Sequence, residues 1–233
     1  MIQTLDKYTG HKKIDGVYQK IINNIPAHKV YYELFAGSAS ILSLITVPAR
    51  EIRLNDIDPE VQQLLMDKFP NAIVTNVNAI DTLKITNREN TLQFVDKRDV
   101  FLFLDPPYLH DTRTDKELYK YEMQQIDHVK LLTEALQLNC NCMIIHPKCD
   151  LYNTMLYDWY KIEIKIRYNR KTSIEFLYMN YPPPTELQCF DYLGSSCWNR
   201  QQIKRKGDRL LEKLKKLPVL EQNYLLNRLK ELA

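Results

Sequence analysis

The apolar positions of this chain fall into short blocks whose spacing switches between the two-residue period of strands and the longer period of helices. Val100-Phe101-Leu102-Phe103-Leu104 is a run of five apolar residues without a charge. It predicts a strand buried on both faces, stopped abruptly by Pro106 and Pro107. Val30 to Phe35, Ile52 to Leu54, Ala72 to Thr75, Met143 to Ile145, Ile162 to Tyr168 and Ile174 to Tyr178 predict further strands. The last two lie close in sequence and are expected to pair antiparallel. Helices are expected between them. One carries Val17, Ile21, Ile22 and Ile25 at core spacing and stops at Pro26; the others span Ile41 to Ile45, Glu60 to Phe69, Val129 to Leu138 opened by Asp127, and Leu151 to Trp159. Strands alternating with helices predict an α/β domain.

In such a sheet ligands bind beyond the carboxyl ends of the strands, and several strand ends here carry chemistry. The central strand ends in Asp105-Pro106-Pro107-Tyr108. The prolines have no N–H, so the turn presents carbonyls and a carboxylate with few donors. Such an acceptor pocket suits a group with two hydrogens to give, such as the exocyclic amine of a nucleobase, and Tyr108 offers a ring for stacking. The plain alternative is a stiff loop with a surface tyrosine. Val30 to Phe35 leads into the small-residue loop Ala36-Gly37-Ser38-Ala39-Ser40, a cradle for a nucleotide-like ligand. The next strand ends in Asn55-Asp56-Ile57-Asp58-Pro59. Asp58 is the expected N-cap of the following helix, with Pro59 in its first turn. Asp56 is then left to accept hydrogen bonds from both hydroxyls of a ribose, or to serve as a second capping acid. The third strand ends in Asn76-Val77-Asn78-Ala79, placed to read an adenine ring.

Composition narrows the class. The chain has 233 residues, 45% hydrophobic and 26% charged, with five glycines. That is ordinary for one globular α/β domain with an appendage, and two large domains are not expected. The amino terminus carries no basic-then-apolar leader, and no apolar stretch approaches the ~20 residues of a membrane span. A cytoplasmic protein without a membrane partner is expected, its five cysteines reduced. Cys140, Cys142, His146 and Cys149 invite a zinc reading, but Cys142 to Ile145 reads as buried strand, so no metal is expected.

The net charge of +3 is mild, and its distribution says more. His110 to Lys116, continued by Lys120 to Met123, is polar and aromatic, and reads as a flap beside the active end of the sheet or as a solvated loop. Pro182-Pro183-Pro184 marks a boundary between a domain over 1–184 and a tail over 185–233. From Gln201 onward nine lysines and arginines face four acids. Leu210, Leu211, Leu214 and Leu217 form a helical stripe, broken at Pro218 and resumed by Leu225, Leu226 and Leu229. A basic amphipathic tail can meet phosphates, the body of the domain, a partner subunit, or another copy of itself.

Lys7-Tyr8-Thr9-Gly10-His11-Lys12, Glu33-Leu34-Phe35-Ala36-Gly37-Ser38, Asn55-Asp56-Ile57-Asp58 and Asp105-Pro106-Pro107-Tyr108, in that order, resemble the S-adenosylmethionine-dependent DNA adenine methylases, most of all the short forms carried by phages and prophages. The resemblance spans residues 7–180. It implies a Rossmann-like class I methyltransferase fold, a seven-stranded mixed sheet flanked by helices, with S-adenosylmethionine as cofactor and DNA as partner. It also implies roles. Tyr8 and Lys12 border the cofactor; Glu33, Phe35, Ala36, Gly37 and Ser38 hold its methionine part; Asp56 and Ile57 hold the ribose; Asn78 lies near its adenine. Asp105, Pro106, Pro107 and Tyr108 form the catalytic turn, Asp105 also bordering the cofactor. Apart from the resemblance, the flap next to that turn makes His110, Arg113 and Lys116 the residues expected to meet nucleic acid. Two departures stand out. Ala39 occupies a position the family usually gives to glycine, which is costly where φ is positive, and no long target-recognition insertion fits between Gly37 and Asp105. Amino methylation of cytosine, an RNA substrate, and a non-catalytic binding subunit are the competing readings.

Overall fold

The computed structural model describes residues 12, 14, 16–89, 97–113, 119–168 and 171–231. Seven strands form one sheet: β1 (Val30–Glu33), β2 (Glu51–Asn55), β3 (Ile73–Thr75), β4 (Val100–Leu104), β5 (Asn141–Pro147), β6 (Tyr160–Tyr168) and β7 (Lys171–Met179), in the order β3-β2-β1-β4-β5-β7-β6. The first five run parallel. β7 enters antiparallel to both β5 and β6, which makes the sheet mixed. The chain moves outward from β1 to β3 and then returns to place β4 on β1's other side, Glu33 opposite Phe103. Strand order reverses there and the connections leaving β1 and β4 run to opposite sides, the position at which open α/β sheets bind their ligands.

β4 is buried at all five positions. Its alternate side chains serve two layers: Val100, Leu102 and Leu104 join Leu131, Leu132 and Tyr152, while Phe101 packs against Tyr31 and His28 at ring distances of 5.9 and 5.3 Å. The helices are α1 (Val17–Ile22), α2 (Pro59–Lys68), α3 (Ala79–Glu89), α4 (Gln125–Ala135), α5 (Asp150–Met155), α6 (Cys197–Lys215) and α7 (Val219–Lys230). α2 starts as its sequence dictates, with Asp58 Oδ1 accepting from Glu60 N at 3.0 Å and Pro59 as first helical residue. α4 starts earlier than expected. Asp127 reaches back to accept from Gln124 N at 3.1 Å, so it lies inside the first turn rather than before it.

Other expectations are corrected. Ile41 to Ile45 forms no α-helix but a single 3₁₀ turn, Leu42–Leu44, cut short before Pro48. α5 ends at Met155, because the chain must straighten into edge strand β6 at Tyr160. β1 ends at Glu33, so Leu34 and Phe35 already belong to the loop.

The chain forms two compact units, 1–191 and 192–233. The first continues past the proline run because residues 186–191 return to the chain before β1: Leu187 bridges Pro26, and Ala27 N and His28 N donate to Glu186 O and Gln188 Oε1 at 3.1 and 2.9 Å. The second contains α6 and α7, with α6 capped by Ser196 Oγ, which accepts from Asn199 N at 3.1 Å. Neither helix buries a residue. No helix among the described residues is long and apolar enough to cross a membrane.

Candidate active site

Among the described residues, the turn after β4 is an assembly of acceptors with one cation, Lys12, bonded into it. Lys12 is buried, its backbone N held by Ser40 Oγ at 3.1 Å, and its ammonium lies 3.0 Å from Asp105 Oδ2. The same ammonium donates to the Tyr108 hydroxyl and sits 4.7 Å from the centre of that ring. Tyr108 in turn donates to Glu175 Oε1 on β7 at 2.7 Å. Burial pushes Asp105 up to about 6 and the Glu175 carboxylate adds to the rise, while Lys12 opposes it. Burial works against the Lys12 charge, but Asp105 and Glu175 outweigh it and raise its pKa. Tyr108 is therefore no surface residue. Its hydroxyl is used twice, and its edge meets the His146 ring at 5.3 Å.

Beside this turn lies the loop leaving β1. Gly37 and Ala39 both have positive φ, 48° and 47°. The strain foreseen for an alanine here is real, offset in part by complete burial of its methyl group. The loop closes on itself through Ala39 N to Ala36 O at 2.6 Å and is tied to β2 by Ala36 N to Asn55 O at 2.9 Å. Asp56, buried at the end of β2, accepts from Gly37 N at 2.8 Å and from Asp58 N at 3.0 Å, one bond on each oxygen. Lys68 donates to Ser38 O at 2.8 Å. Glu33 lies under the loop and accepts from Tyr31 OH at 2.9 Å; burial pushes it up to about 8. Phe35 is half-buried, whereas Ile57 and Asn78 are exposed at the rim. Asn78 Oδ1 accepts from Ile80 N at 2.8 Å and so starts α3. Tyr8 lies outside the described residues.

The far side of the turn is fixed by histidines. His146 Nε2 accepts from Leu109 N at 3.1 Å, its Nδ1 donates to Pro147 O at 2.8 Å, and its ring stacks on Tyr152 at 3.9 Å. Burial lowers His146 to about 3 and His128, which meets Tyr152 OH at 2.8 Å, to about 4, so both are neutral. Of the residues expected from the sequence to meet nucleic acid, Arg113 is held by both oxygens of Glu122 at 2.9 and 2.5 Å. His110 Nε2 stands 3.8 Å from the same carboxylate. Lys116 lies outside the described residues. Lys120 pairs with Asp58 at 3.1 Å.

The sequence assigns Glu175 no role, and it names Ser40, Asn55 and His146 without the partners that make them part of the site. Asn55 ties three segments, donating to Leu34 O and Val77 O at 3.0 Å each and accepting from Val77 N at 3.1 Å. A lone acid within the apolar run Ile174 to Tyr178 was the available signal for Glu175.

No protein-family model matches the chain, and no curated protein matches it. Solved structures similar to it include the 23S rRNA methyltransferase ErmE, 11% identical over 84% of this chain and 84% of that one, with a TM-score of 0.48. M. capricolum TrmK, in complex with S-adenosylhomocysteine, is 9% identical over 94% and 96%, TM-score 0.47. A SAM-dependent methyltransferase from Agrobacterium tumefaciens is 11% identical over 70% and 60%, TM-score 0.43. Likeness of this degree carries no family, activity or substrate over to this chain.

Proposed function

We propose that the protein is an S-adenosylmethionine-dependent methyltransferase that modifies the exocyclic amine of a flipped nucleobase, and that its substrate is the N6 amine of adenine in DNA. One observation carries this reading. Asp105 Oδ2 and the Tyr108 hydroxyl are both held by the buried Lys12 ammonium, which fixes the acceptor turn beside a loop whose two left-handed residues shape a cradle.

The residues of the cradle fit the cofactor. Each Asp56 oxygen has one backbone partner and retains lone-pair capacity for ribose hydroxyls. Glu33, buried beneath the loop, is a carboxyl ready to meet an amino-acid ammonium. When bound, the cofactor supplies an electrophilic methyl group. The chain's own residues do the rest. An adenine amine is a poor nucleophile because its lone pair is delocalised into the ring. Asp105 and the Pro106 carbonyl draw its two N–H bonds toward themselves and turn the lone pair out of conjugation, while Pro107 stiffens the turn and Tyr108 holds the base in line.

The test is to incubate the purified protein with methyl-labelled cofactor and, separately, duplex DNA, single-stranded DNA and RNA, then identify the modified nucleoside by mass spectrometry. N6-methyladenine in DNA is expected. N4-methylcytosine, or label only in RNA, would overturn the finer assignment; cofactor binding without transfer to any of the three would overturn the enzyme.

A further inference from the structure

Glu175 is hydrogen-bonded to the last residue of the turn and also lines a cavity beside it. It lies on β7 opposite Pro147 of β5 and Ile164 of β6, and is 7% exposed. Oε1 accepts from Tyr108. Oε2 is buried and has no hydrogen-bond partner among the described residues. Leaving a buried carboxylate oxygen unpaired is costly, so its retention asks for a reason. Glu175 also lines a cavity of about 890 Å³, bounded by Leu109, Thr112, Lys148, Cys149 and Leu151.

The contacts behind it are contiguous. Asp105 Oδ2 meets Lys12 Nζ at 3.0 Å, Lys12 donates to Tyr108 OH, and Tyr108 donates to Glu175 at 2.7 Å. The last two bonds already point their hydrogens from the acceptor turn toward the cavity. Amine methylation releases one proton per turnover, and it first reaches Asp105. The Asp105 side chain is 17% exposed, and a base lying against it closes the direct way to water.

We propose that Glu175 is the terminal acceptor of a proton relay, Asp105 to Lys12 to Tyr108 to Glu175, that delivers the product proton to the cavity; this rests on the reading of the site as an amino methyltransferase. The proton count balances. Protonated Asp105 returns its proton to Lys12 as Lys12 passes one to the Tyr108 oxygen and Tyr108 gives its own to Glu175. Lys12 and Tyr108 end unchanged, Asp105 is again a carboxylate, and Glu175 releases the proton to solvent. Among the described residues, the charged groups around this path include Lys12, Asp105, Glu33 and, along the cavity, Asp111, Lys148 and Asp150.

Two variants test it. Glu175→Gln keeps an oxygen to accept from Tyr108 but cannot take a proton. Its kcat is expected to fall at least tenfold, with KM for cofactor and DNA unchanged and a larger solvent deuterium isotope effect. Glu175→Ala opens the position to the cavity, and formate or imidazole is expected to restore its turnover in proportion to concentration. Full wild-type turnover by Glu175→Gln, or a slow Glu175→Ala indifferent to both rescuers, would overturn the relay. A wild-type protein that transfers no methyl group overturns the enzyme reading itself, so the two failures are distinct.

Discussion

The Lys12 ammonium and the Asp105 carboxylate stand 3.0 Å apart with their surroundings largely closed, and each sets the charge of the other. In the proposed reaction Asp105 accepts substrate N–H bonds best when ionised, and its pKa is held at about 6 by burial and Glu175 against the pull of Lys12. The kcat/KM profile should therefore fall below about pH 6. Lys12→Met removes the opposing cation, so this acid limb should move up by a unit or more. A limb that stays in place would separate Asp105 from the rate.

The two ends of the site should fail differently. Asp105→Ala should abolish methyl transfer and leave S-adenosylmethionine binding within a few fold, because in the proposed reaction the carboxylate serves the amine. Asp56→Ala should weaken cofactor binding first, by about 1.5–3 kcal/mol for hydrogen bonds to a charged group. Calorimetry on both variants checks this; unchanged affinity in Asp56→Ala would remove that residue from the cradle.

What the sequence made legible follows from which forces act locally. The uncharged run of β4 and the Asp58-Pro59 start of α2 are fixed by neighbours in the chain, and both stand as read. α3 is weakly signalled, because Asn78 suits a ligand contact as well as a cap and Thr82 and Thr86 weaken the helical pattern, although Ile80 and Leu83 are spaced for one buried face. The site divides the same way. Asp56 and Asp105 declare themselves as acids at strand ends, whereas Glu175, Asn55 and His146 matter only through partners distant in sequence. No local pattern announces that the Tyr108 hydroxyl is shared between Lys12 and Glu175.

That sharing changes what is expected of Tyr108→Phe. A ring that only stacks would lose little, but here two buried groups lose their common partner. The variant should keep KM for DNA, lose kcat, and be destabilised by about 1–3 kcal/mol. Tyr108→Ala should in addition lose about 1–3 kcal/mol of base stacking, visible in KM. Equal KM in the two variants would exclude the stack.

Glu33 sets the alkaline side of the stability profile. Its folded pKa of about 8 exceeds the ordinary 4.5, so between these values the folded state binds more protons and stability falls as pH rises, by up to about 1.4 kcal/mol per pH unit. Asp105 acts in the same direction between 3.8 and about 6. His28 and His128, lowered to about 4, and His146, lowered to about 3, act oppositely below 6.5, where the unfolded chain binds more protons. Stability of the ligand-free protein should thus peak near pH 6.5 and decline toward 8. Glu33→Gln keeps an acceptor for Tyr31 and should flatten the decline; melting curves at pH 6.5 and 8 for both proteins decide it.

The last expectation concerns the tail. α6 and α7 bury no side chain, and from Gln201 onward nine basic residues outnumber four acids. Arg113 is already committed to Glu122, so the described part of the flap offers little free charge to a phosphate backbone. The tail should supply affinity without sequence choice. A chain ending at Asp191 should keep its affinity for cofactor and lose affinity for target and scrambled duplexes alike. Its salt dependence should flatten by about 0.9 in slope for each phosphate contact removed. The exposed Leu210, Leu211, Leu220 and Leu229 set up the competing result, in which the tail joins two copies and its removal halves the mass in sedimentation. Binding isotherms at two salt concentrations separate the two: a folded, truncated protein with an unchanged salt slope would mean that the tail does not touch DNA.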